Sequence, residues 1–162
     1  MRKTIVLSLL VAILGGLVGS SGPAQAVVSV ASTGTTTIPY SGTVQGPPED
    51  VHLSGSAQIS FKVVRDLDFG KPPSVLLTID MSRVSGVGAK SGLKYVTSGG
   101  QNLLRPLVAV DQVDITFAFF PSGRDGSSQA RSALASFTLT YDLGAERLSQ
   151  GSASSEVTPV KE

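Results

Sequence analysis

Few residues in this chain are equipped for chemistry. His52 is the single histidine among 162 residues, cysteine is absent, and acidic and basic residues number 12 and 13. Serine-based nucleophilic catalysis needs an imidazole held between the hydroxyl and a carboxylate. His52 stands in an alternating run, on the face it shares with Ser54 and opposite Val51, Leu53 and Ala57. That face is the wet one, so the expectation is a solvated histidine and no triad. Zinc sites draw on several His or Cys ligands, which one histidine does not supply.

Three short patterns suggest specific sites. Residues 85–92, Ser-Gly-Val-Gly-Ala-Lys-Ser-Gly, resemble a phosphate-cradling loop, in which glycines let backbone amides converge on an anion. The spacing fails, because Ala89 separates Gly88 from Lys90 and the run leads towards a strand instead of opening a helix. A turn between two strands accounts for the same glycines. Ser91-Gly92-Leu93-Lys94 has the serine-to-lysine spacing of penicillin-recognising enzymes without their partner motifs. Asp66-Leu67-Asp68-Phe69-Gly70 begins like a calcium loop, with alternate carboxylates, but Gly70 takes the third ligand position and apolar Leu77 the twelfth. Asp66 and Asp68 are therefore a weak calcium candidate, and a solvated turn is preferred. The chain is read as non-enzymatic, with no cofactor.

The N-terminus carries a more direct signal. Arg2 and Lys3 precede an almost unbroken apolar run over residues 5–18, followed by Pro23 and Ala24-Gln25-Ala26. A basic start, a short apolar helical core and small residues at alternate positions define a cleavable signal peptide. Residues 1–26 are assigned to it, with Ala24 and Ala26 as the small residues before the cut. The run spans 14 positions, whereas an anchor needs about 20 to cross a bilayer, and no cysteine follows to carry a lipid. The expected location is extracytoplasmic, periplasmic or secreted, without stable membrane insertion after cleavage.

Cleavage would leave 136 residues, enough for one domain. Losing Arg2 and Lys3 leaves 11 basic residues against 12 acidic, a formal charge of −1. Nucleic-acid capture would show instead as a basic patch or stripe. A secreted domain of this size without cysteine points to a bacterial exported protein.

The elements that must position these residues are strands. Apolar residues recur at every second position, the period that puts one strand face on a core. Val51, Leu53, Gly55, Ala57, Ile59, Phe61 and Val63 share one face; so do Val75, Leu77, Ile79 and Met81; Val113, Ile115, Phe117 and Phe119; and Ala135, Phe137, Leu139 and Tyr141. Shorter strands are expected over residues 38–44, 93–97 and 146–149. Turn chemistry falls at residues 46–50, 86–88, 98–100 and 122–126. If residues 51–63 and 75–81 pair, Lys62 and Asp80 are candidates for a contact across the outer face.

The predicted fold is all-β, an antiparallel β-sandwich that is Ig-like in general architecture, with a small β-barrel as the alternative. Its domain spans residues 38–148, between a flexible lead-in over residues 27–37 and a flexible tail over residues 149–162, both small and polar. Residues 103–108 are apolar without alternation, and Phe120 falls on the polar side of its strand, so Leu103, Leu104 and Phe120 are the candidate contact surface. The expected function is an exported, non-catalytic module that binds a protein or surface polymer. The alternatives are a carrier of a small apolar ligand inside a barrel and, behind it, a secreted hydrolase.

Overall fold

The computed structural model describes residues 28–66, 72–123 and 126–154. The fold grows around β2 (Val51–Asp66), where strict alternation buries Val51, Leu53, Ala57, Ile59, Phe61 and Val63. At 16 residues, β2 is long enough to serve three neighbours. β1 (Val28–Val44) runs antiparallel along one edge over nearly its full length. The other edge is divided: β3 (Ser74–Asp80) pairs with residues 58–64, and β4 (Val84–Gly88) with residues 51–55. Gly55 sits beside that division with φ +150°, and a Cβ on it would overlap the Arg83 carbonyl oxygen and stand 2.8 Å from Val84 Cα. Only glycine lets the two backbones approach so closely.

The remaining strands are β5 (Lys94–Ser98), β6 (Gly100–Pro106), β7 (Val110–Pro121), β8 (Arg131–Asp142) and β9 (Arg147–Ser154), with a short 3-10 turn at Gly126–Gln129. All pairings are antiparallel, in the order β6-β3-β2-β4-β5-β7-β8-β9, with β1 on the free edge of β2. The predicted all-β, antiparallel character is observed. The barrel alternative is not formed: β1 and β9 come side by side without a backbone ladder. Side chains fill the seam instead, with Ile38 lying where a Cβ on Gly151 would stand.

Inward faces from both ends of the strand order meet in one core. The periodicity located most of it: Val75, Leu77, Ile79 and Met81, the β7 set, and Ala135, Phe137, Leu139 and Tyr141 are all buried. Each large side chain withdrawn from water contributes roughly 1.5–3 kcal/mol. Tyr40 packs edge-on against Phe117 at 5.8 Å.

Several expectations are corrected. Residues 28–37, expected as a flexible lead-in, continue β1 and pair with residues 58–66 of β2. Their serines and threonines bury little apolar surface, but the open edge of β2 supplies hydrogen-bond partners and threonine suits extended backbone. Ser149 and the residues to Ser154, expected as tail, belong to β9 on the edge of β8, and Ala153 packs on the core. The sheet thus runs past both ends of the expected 38–148 domain. Residues 86–88, read as a turn, are part of β4: its inward positions Gly86 and Gly88 carry no side chain to reveal the alternation. Lys62 lies opposite Leu76 and Asp80 opposite Gln58, so the suggested pair is out of register. Residues 1–27, where a helical signal peptide ending at Ala24 and Ala26 is expected, and residues 155–162 lie outside the described residues.

Candidate functional site

The densest polar arrangement gathers around Glu49, in the β1–β2 connection beside a cis Pro47–Pro48 bond. Its side chain is buried, only 7% exposed. The carboxylate accepts hydrogen bonds from the backbone amides of Lys90 and Ser91, both at 2.8 Å, from the Ser91 hydroxyl, and from the Tyr95 hydroxyl at 3.4 Å. The donors are presented by the β4–β5 turn, which closes with Gly92 N–H donating to Gly88 O at 3.0 Å and Gly92 at φ +68°. A Cβ on Gly88 would overlap the carboxylate itself. From the opposite side, the Arg131 guanidinium donates to Glu49 O at 2.8 Å and Gln45 O at 3.1 Å while lying 5.1 Å above the Phe119 ring.

These donors stabilise the anion. The Ser91 hydroxyl, then the Ser91 and Lys90 amides, lower the Glu49 pKa to about 2. Burial, and next the facing carboxylate, push the Tyr95 phenol up. A carboxylate held by four donors is a poor base and is no acid near neutral pH. Its chemistry is to clasp two turns together.

A second buried carboxylate, Asp111, is 5% exposed and meets Arg105 as a fork, Nε to Oδ2 at 3.1 Å and Nη2 to Oδ1 at 2.7 Å. Those hydrogen bonds raise the Arg105 pKa. The pair fastens β6 to the start of β7. His52 is exposed, as expected, with Nδ1 2.8 Å from the hydroxyl of its cross-strand neighbour Thr43. The side chain of Asp66 and the whole of Asp68 lie outside the described residues. Among the described residues, no three His, Asp or Glu side chains gather as a metal site, and no helix is long and apolar enough to cross a membrane.

Leu103, Leu104 and Phe120 do not form one surface. Leu103 faces inward and packs on the core, whereas Leu104, its neighbour on the edge strand β6, is 68% exposed opposite Leu76. Phe120 is half-buried on the outer face of β7, opposite Val96. Four strands separate β6 from β7 in the sheet order. What the sequence reading missed is the set Glu49, Ser91, Tyr95 and Arg131. A usable signal was present in the glycine-flanked run around Lys90 and Ser91, which does cradle an anion, namely the chain's own carboxylate. Comparison with known proteins finds no match: no family model, no curated protein and no solved structure.

Proposed function

We propose that this chain is an exported, non-catalytic β-sandwich module with a structural or interaction role in the cell envelope or outside the cell, and that it meets a protein partner by adding a strand to β1. The outer edge of β1 carries this reading. Among the described residues β1 forms a backbone ladder with β2 alone, β9 meeting it only through side chains at Ile38, and residues 28–37 contain no charge and no proline. Exposed sheet edges are normally guarded by charges, prolines or bulges against unwanted pairing. The other edges follow that rule, β6 with Arg105 and Pro106, β9 with Arg147 and an irregularity opposite Thr140 and Tyr141. β1 has one irregularity, between Val30 and Ser32. Residues 32–37, which lead up to the Ile38 seam with β9, run in regular register along β2, with no second ladder among the described residues to use their outward amides and carbonyls. Edge addition of this kind recognises backbone through its amides and carbonyls.

The sandwich is supported by the division of the β2 edge and by inward faces that share one core. The non-catalytic reading is supported by Glu49, whose carboxylate is spent on internal donors. Export is supported by the basic, apolar and Ala24-Gln25-Ala26 segments of the N-terminus. The test is to fractionate producing cells, determine the N-terminus of the accumulated chain by mass spectrometry, and crosslink it in place. A chain starting at Val27 outside the cytoplasm, crosslinked through residues 32–37, supports the proposal. A cytoplasmic chain that retains Met1, or turnover of an ester, glycoside or peptide by the purified protein, refutes it.

A further inference from the structure

We propose that the turn over residues 88–93 is a receptor for a carboxylate-bearing ligand, which the chain keeps occupied with Glu49. Two consecutive amides, Lys90 and Ser91, point at one carboxylate oxygen at 2.8 Å, and the Ser91 hydroxyl engages the other. Successive backbone amides arranged in this way form a concave anion nest whose donors are fixed before any ligand arrives. Gly88 leaves the space that the anion fills, because any side chain there would collide with it. Tyr95 closes the inner wall with a phenol whose hydroxyl also points at the anion. The nest therefore belongs to the β4–β5 turn, while its occupant comes from a different connection, 41 and 42 residues away from its amide donors.

The site has an approach from solvent. A cleft of about 260 Å³ opens beside it, lined by Gly46, Pro47, Pro48, Asp50, Ala89 and Lys90 together with Glu49. Lys90 is exposed there and adds a positive charge at the mouth. A carboxylate entering by this cleft competes with an internal ligand of the same chemistry, so affinity in the intact chain is set by the cost of displacing Glu49. Removing the Glu49 side chain exposes the receptor.

The test is rescue of Glu49→Ala by acetate, followed by thermal unfolding and by titration of 13C-acetate. The expected result is a saturable rise in the melting temperature of Glu49→Ala with millimolar acetate, beyond that of chloride at equal ionic strength, and no such rise in the native chain. Adding Ser91→Ala should weaken the acetate response at least tenfold, since a hydroxyl donor is lost. If Glu49→Ala does not fold in plain buffer, acetate must restore folding where chloride does not. The proposal is overturned if acetate acts no better than chloride, if Ser91→Ala leaves the response intact, or if phosphate binds and acetate does not.

Discussion

Replacing Phe119 dissects the contacts that hold the Glu49 and Arg131 region onto the core. Its ring is wholly buried, 5.9 Å from the Tyr95 ring and directly beneath the Arg131 guanidinium. Burying an aromatic side chain withdraws roughly 150–250 Å² from water, worth about 4–6 kcal/mol at ~25 cal/mol per Å². Alanine keeps part of that area and the site relaxes, so Phe119→Ala should cost about 3–5 kcal/mol. Phe119→Leu retains most of the apolar volume but loses the ring face, and should cost about 1–2 kcal/mol. The share due to the guanidinium is about 1 kcal/mol, because Arg131 is half-buried. A double-mutant cycle of Phe119→Leu with Arg131→Met isolates it, since the Arg131 hydrogen bonds to Gln45 and Glu49 carbonyls cancel. Urea denaturation of the four proteins is the assay. Equal costs for leucine and alanine, or a coupling below ~0.3 kcal/mol, would refute this account of the contact.

Three further outcomes are expected. Glu49 titrates near 2 in the folded chain, below an ordinary carboxyl near 4.5. Its ionised form therefore stabilises the fold above about pH 4.5, and that contribution is lost as pH falls towards 2; the gap in melting temperature between the native chain and Glu49→Gln should be widest at neutral pH and narrow across that window. Thr97 is buried, and its hydroxyl donates towards the carbonyls of Met81 and Val84; Thr97→Val should cost about 1–2 kcal/mol in chemical denaturation. Gly151→Val drives a side chain into Ile38 at the seam between β1 and β9 and should cost about 1–3 kcal/mol, whereas Gly123→Ala, with open space around it, should leave the melting temperature unchanged.

The legible part of the fold was the part built by side-chain burial. Val51 to Val63, Val113 to Phe119 and Ala135 to Tyr141 alternate because one face of each strand is buried, and that alternation is written in residue type. Strands made by backbone pairing alone were not legible. Residues 28–37 hold their place because the edge of β2 opposite β3 offers its backbone groups to them along residues 58–66. β4 hid its period behind Gly86 and Gly88, where Leu53 and Glu49 occupy the space a side chain would take. Register also escaped, since Lys62 and Asp80 are set by pairing across β2 and β3 and not by charge. The Glu49 site was half visible. The turn around Lys90 and Ser91 has the look of an anion cradle, but nothing local in Pro47-Pro48-Glu49 marks that glutamate as the anion, because the two segments meet only through tertiary structure.

The central claim is that residues 32–37 of β1 are the edge through which this protein meets its partner. Its most direct measurement is in-cell crosslinking and co-purification of the native chain beside Thr33→Lys and Thr37→Lys, both exposed positions on that edge. Lysines guard an edge against strand addition without disturbing the core. The account predicts a partner recovered with the native chain, lost at least tenfold from both variants, with melting temperatures unchanged. Equal recovery from the native chain and both variants would contradict it.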